Sequence, residues 1–128
     1  MASYNVNVEE YIIEIEAPSI RPIKIKLIRI KAPLTIQALI KKLPLTTRIS
    51  KFGKQVIINI PIKTIVEKTS REVKKGEVAY WHASQAMVIY LEDMKLMSPV
   101  VIIGEVIKGL EILNEIRSGL GVQIRRVS

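Results

Sequence analysis

A chain of 128 residues, 48% of them hydrophobic and none in a low-complexity stretch, holds one domain with a single core, which argues against intrinsic disorder. Without cysteine there are no disulfides or thiolate metal sites; no apolar run approaches the roughly 18 residues of a membrane span, and Met1-Ala2-Ser3-Tyr4-Asn5 lacks the basic start and apolar centre of a signal peptide. A net charge of +8 suggests phosphate contacts, but the bases are scattered over nearly every segment and aromatics total only 5%, so nucleic acid is not an expected partner.

Isoleucine and valine dominate the apolar residues, and β-branched side chains suit a pleated sheet. Residues 10–16 alternate, with Tyr11, Ile13 and Ile15 on one face and Ile12, Glu14 and Glu16 on the other: a half-buried strand. Beyond the turn at Ala17-Pro18-Ser19, residues 23–27 alternate again, and a hairpin placing Glu16 opposite Lys24 and Glu14 opposite Lys26 gives two cross-strand ion pairs. The parity breaks at Leu27-Ile28, where a bulge is expected to bend the strand.

Pro33 opens an amphipathic helix with Ile36, Leu39, Ile40 and Leu43 on one face, closed by Pro44. Residues 45–55 read as a polar connection, residues 56–60 as a strand ended by Pro61, residues 63–67 as extended, and residues 67–72 as charged surface. Gly76 leads into Glu77-Val78-Ala79-Tyr80-Trp81, a strand that pairs with residues 86–91 across His82-Ala83-Ser84-Gln85. Residues 92–99 form a loop with Met94 and Met97. Val100 to Ile103 is apolar at both parities, as in a strand covered on both sides, and Gly104 marks a bulge or close approach. Leu110, Leu113 and Ile116 make a second helical stripe stopped by Gly119, and residues 122–127 form the last strand. The sum is a mainly β fold, a closed barrel of about eight strands with two short helices capping it.

No HExxH, GxSxG or phosphate loop occurs, and Gly119-Leu120-Gly121 lacks the third glycine of a dinucleotide fingerprint. The single histidine, His82, has no partners for a metal or a triad, so neither metal nor cofactor is expected. A lone tryptophan is commonly a core anchor, and a lone histidine beside a turn a solvated residue. Their adjacency at the mouth of a barrel, beside Gln85, points instead to a pocket.

The GEVAYW run at 76–81, the apolar strand Met87-Val88-Ile89-Tyr90, the strand from Ser98-Pro99-Val100-Val101 to Gly104, and the Gly109-Leu110-Glu111 helix start resemble the small prokaryotic cyclophilin-like proteins. That resemblance implies the same capped barrel. Full-length cyclophilins isomerise X-Pro bonds, across a barrier of roughly 18–20 kcal/mol, with an arginine, glutamines and aromatic residues around an apolar proline pocket. The residues of those types here are Arg48, Phe52, Gln55, Trp81, His82 and Gln85, with Tyr80 beside them. The Phe-Met-x-Gln run of the isomerases is absent, and His82-Ala83 stand where relatives often carry prolines. The reading is therefore a cytoplasmic barrel of thermophile-like composition that binds a peptide or small-molecule ligand beside Trp81. A weak prolyl isomerase, or a basic-surface binder of nucleic acid or an acidic partner, are the alternatives. The oligomeric state stays open.

Overall fold

The computed structural model describes residues 9–128. Nine strands and two α-helices follow in the order β1 (Glu10–Ala17), β2 (Ile20–Ile28), α1 (Pro33–Lys42), β3 (Leu45–Phe52), β4 (Gln55–Asn59), β5 (Ser70–Val73), β6 (Glu77–Trp81), β7 (Ala86–Tyr90), β8 (Met94–Lys108), α2 (Leu110–Glu115) and β9 (Gly121–Arg126). The antiparallel order β2-β1-β9-β3-β4-β7-β6-β8 closes on itself through β2 and β8, an eight-stranded barrel, while β5 adds to the free end of β8 outside it. Closure removes the exposed edges that an open sheet leaves for aggregation.

The interior is filled almost entirely by β-branched and aliphatic side chains, among them Ile13, Ile15, Ile23, Ile25, Ile58 and Ile103, all buried. Helix α1 contributes Ile36 and Leu39 to this core, and α2 contributes Leu113. The β2–β8 seam needs a residue without a side chain: a Cβ at Gly104 would lie 2.0 Å from the Lys26 carbonyl oxygen. This is the close approach expected at that glycine, and the neighbouring register shift between Val78 and Ala79 opposite β8 supplies a bulge.

The first hairpin forms, but two residues out of the expected register. Glu14, not Glu16, faces Lys24, because Ala17 pairs with Ile20 and the turn is only Pro18-Ser19. Glu14 bridges Lys24 at 3.9 Å and Arg125 at 3.5 Å, and Glu16 turns to Arg125 at 3.0 Å. No bulge interrupts β2 at Leu27-Ile28; the parity break marks the strand's end, where a 3-10 turn at Arg29–Lys31 leaves Ile30 at 88% exposure. The bulge lies instead between Lys24 and Ile25, opposite β8.

Three stretches expected to be irregular are strands. The polar run after Pro44 is β3, joined to β4 by a tight turn at Gly53-Lys54 with Gly53 in the left-handed region. Its alternation is masked because its outer face is solvated, so Thr46, Arg48 and Ser50 interleave with inward Leu45, Thr47 and Ile49. The supposed loop at 92–99 is the start of β8, which pairs Met94 and Lys95 with β5 before a register shift re-pairs Val100 with Ser70. β5 begins within the charged run read as surface and ends just past it at Val73, and Glu67 at the head of that run is half-buried rather than solvated.

Candidate functional site

Strands covered on both sides have apolar residues at both parities, and β6, β7 and β8 are built this way. Val78, Tyr80, Met87, Ile89 and Val101 face the barrel interior, while Ala79, Val88, Tyr90 and Val100 form a second apolar cluster on the outer wall. β5 and the first part of β8 fold over that wall and add Val73, Met94 and Leu96 to it. At its open end lies a cleft of about 340 Å³ lined by Gln55, Trp81, Tyr90, Met94, Leu96 and Met97, with Lys95, Ser98 and Val100 completing the rim. Trp81 is half-buried there, and its indole Nε1–H is buried without an acceptor. An orphaned donor of this kind costs about 1–3 kcal/mol unless a water or ligand oxygen meets it. Burial beside it pushes the Tyr90 hydroxyl up to about 12, so that group stays a neutral hydrogen-bonding phenol.

Of the residues expected at the site, the structure brings Trp81 and Gln55 together in this cleft, along with Met94 and Met97. Arg48 shares the outer face of the wall, since its neighbour Ile49 points inward, but its guanidinium donates to the Gly119 carbonyl at 3.1 Å. Between it and Trp81 lie β4 and β7, so three strand spacings of about 4.8 Å separate β3 from β6. Phe52 is 74% exposed at the β3–β4 turn. Gln85 takes the left-handed conformation that ends the His82–Ser84 turn, and its carbonyl accepts from Ile60 N–H and Asn59 Nδ2.

Tyr80 and His82 belong elsewhere. One residue of strand is enough to reverse the face, so Tyr80 lies inside the barrel while Trp81 lies outside. The Tyr80 hydroxyl donates to the Ile60 carbonyl at 2.8 Å and accepts from Ile62 N–H at 3.4 Å. Burial raises its pKa, and the Ile62 N–H only partly opposes that. His82 stacks edge-on against the Tyr80 ring, 4.9 Å between centroids, with its Nε2 buried and unpartnered. Burial lowers the imidazole's pKa against the opposing pull of the Ile65 backbone and the Glu67 carboxylate, so it is neutral near pH 7.

Glu67 was not legible as anything but surface, yet it supplies the cap that Ala32, at the start of α1, cannot. Its carboxylate accepts from Leu34 N–H at 3.1 Å, Thr35 N–H at 2.7 Å and the Thr35 hydroxyl at 2.6 Å. Desolvation would raise its pKa, but the three hydrogen bonds, aided by His82, win and lower it. Sequence spacing could not have revealed a cap supplied from 32 residues away. Tyr90, Leu96 and Val100 were also missed as cleft residues; the signal available was the unbroken apolar run of β7, which only a doubly covered strand explains.

A larger concavity, about 850 Å³, opens on the other side of Met94 and Lys95. Charges of both signs line it, and two of its carboxylates are engaged by backbone: Glu77 accepts from Lys74 N–H and Asp93 from Lys75 N–H. It offers no aromatic surface, so the Trp81 cleft is the better match to a ligand with an apolar body. Among the described residues, no cluster of three or more His, Asp or Glu side chains could hold a metal ion, and no helix is long and apolar enough to cross a membrane.

No curated protein matches the chain. Among solved structures, the fold is similar to the solution structure of the hypothetical protein AF2241 from Archaeoglobus fulgidus, with a TM-score of 0.76 at 23% identity over 93% of this chain and 96% of that one. A family model described as Cyclophilin-like matches residues 12–125, nearly the whole barrel from β1 to β9, and by that match the chain belongs to the cyclophilin-like family.

Proposed function

We propose that this protein is a cytoplasmic binding module that holds an extended peptide or a small apolar ligand in the Trp81 cleft, without catalysing a reaction. The observation that carries this reading is the buried, acceptorless Nε1–H of Trp81, a residue that lines an apolar cleft. A small rotation of the indole brings that donor to a carbonyl oxygen of a bound peptide, whose side chain packs on Tyr90, Met94 and Leu96. Gln55 at the rim offers both a donor and an acceptor to a peptide backbone.

Catalysis of prolyl isomerisation is the second reading, and it asks for a cation near the prolyl nitrogen. Arg48 is the side chain of that type on the same wall, and its hydrogen bond to Gly119 favours binding over catalysis. Titration of Trp81 emission with an Ala-Pro peptide tests the first reading: a saturable change supports it, and an unresponsive, blue-shifted emission sinks it. An exchange assay on the same peptide separates the second, since acceleration of cis/trans exchange that survives Arg48→Ala would assign the activity to the cleft alone.

A further inference from the structure

Sharing no lining residue with the Trp81 cleft, helix α1 and the extended segment 61–66 form the two walls of a groove of about 390 Å³. Its apolar lining includes Leu34, Ala38, Ile62 and Ile65, and two of these are large side chains left in water: Leu34 at 47% and Ile65 at 66% exposure. Lys41, Lys42 and Lys63 complete it with Gln37 and Thr64, and there is no carboxylate in the lining. None of these three lysines forms an ion pair among the described residues. The Glu67 carboxylate, which follows the segment, is committed to the first turn of α1.

The groove is also held open. The Tyr80 hydroxyl fixes the segment at Ile62, and Glu67 fixes its far end to Leu34 and Thr35. Between those anchors, residues 63–66 run without secondary structure, and no backbone–backbone hydrogen bond reaches them among the described residues. The Ile65 backbone meets the His82 side chain, which ties one edge of the segment to the barrel. Successive residues of an extended chain turn their N–H and C=O groups to opposite edges, and a free edge is what an added strand pairs with.

We propose that this groove docks an extended acidic segment of a partner protein by strand addition to residues 63–66. A strand sends alternate side chains to opposite faces, so one set of the partner's residues enters the apolar floor and the other presents carboxylates to the three lysines. The concave floor and the free backbone favour a peptide over a membrane surface, which would use neither. Apolar burial and backbone pairing supply the affinity, and the lysines select the charge.

The test uses the full chain, labelled with nitrogen-15 and titrated with the acetylated, amidated hexapeptide of alternating glutamate and valine. The expected result is saturable shifts of the amides of Leu34, Ala38, Lys41 and residues 62–66, weaker at higher salt and weakened by about tenfold in the K41E/K63E double variant. Because both lysines are exposed, unchanged shifts outside the groove will show that the variant is folded. A lysine–valine peptide of the same length should leave the spectrum unchanged. Equal binding of the two peptides, shifts confined to the Trp81 cleft, or indifference to K41E/K63E would overturn the proposal. So would preferential capture of the protein by phosphatidylserine vesicles or by oligo-dT through the same amides.

Discussion

The inner and outer faces of the β6–β7 hairpin use neighbouring residues for opposite ends. Inside, Val78, Tyr80, Met87 and Ile89 are buried to completion, and the one polar group among them, the Tyr80 hydroxyl, has both a donor and an acceptor for company. Outside, Ala79, Val88 and Tyr90 are just as buried, but their cover is a short flap, and the indole Nε1–H of Trp81, packed against them, is left without an acceptor. A satisfied core fixes one structure; a core with an unmet hydrogen-bond demand at its edge has something to offer a ligand. Stability and binding are thus divided by the direction a strand residue points.

Substitutions can break that division. Ile25→Ala, in the barrel interior, should cost about 4 kcal/mol of unfolding free energy in denaturant titration, since a closed barrel cannot collapse onto the void. Gly104→Ala comes next at about 3 kcal/mol, because the new Cβ meets the Lys26 backbone rather than a movable side chain tip; a loss below that of an exposed substitution would mean the seam is looser than drawn. Glu67→Gln should cost about 1 kcal/mol as the α1 cap weakens. Trp81→Phe should fall within about 1 kcal/mol of the parent, since losing indole contacts is offset by removing an orphaned donor, yet it should abolish the hydrogen bond proposed for the bound peptide and weaken peptide titrations.

A pH scan separates the two faces in another way. His82 is held below its ordinary 6.5 by burial, so above that pH it is neutral folded or unfolded and adds no slope. Below it the unfolded chain takes up the proton first, and stability falls until the folded imidazole titrates as well. Glu67, held below its ordinary 4.5, adds a second loss of the same sign as the pH drops through and below that value. Thermal midpoints should therefore decline in two stages on acidification, with His82→Gln flattening the first and Glu67→Gln the second. Trp81→Phe, on the outer face, should leave both stages in place.

The barrel was legible because strand alternation and β-branched composition are local signals, and so is the glycine at the close approach, Gly104. The bulge was misplaced, because the parity break at Leu27-Ile28 marks the end of β2 and the irregularity lies at Lys24-Ile25. Cyclophilin-like kinship was legible from GEVAYW and the strands after it, and the family match covers the same region. β3 was lost because a strand with one solvated face and a threonine among its inward positions looks like a loop. The start of β8 was lost because its pairing partner, β5, lies in a charged segment whose own alternation is only four residues long. At the site, Trp81 could be singled out by its rarity, but rarity does not tell which wall a residue faces. Parity did: Tyr80 and Trp81 could not both line one cleft, and His82, carried along by adjacency, packs instead against the Tyr80 ring at the barrel's end.

The seam between β2 and β8 joins residues 24–27 to residues 104–108, near the opposite ends of the chain. Every other strand pairing in the barrel can form while that seam is open, but none of them covers the edges of β2 and β8 that meet there. Until the seam shuts, each chain carries the raw borders of a β-sheet, ready to pair with the same borders on another molecule. The order of synthesis makes this exposure unavoidable, since β2 leaves the ribosome long before its partner exists. Fast local hairpins, such as the tight Pro18-Ser19 turn that holds β1 against β2, are then a means of keeping the waiting border in register until its distant partner arrives.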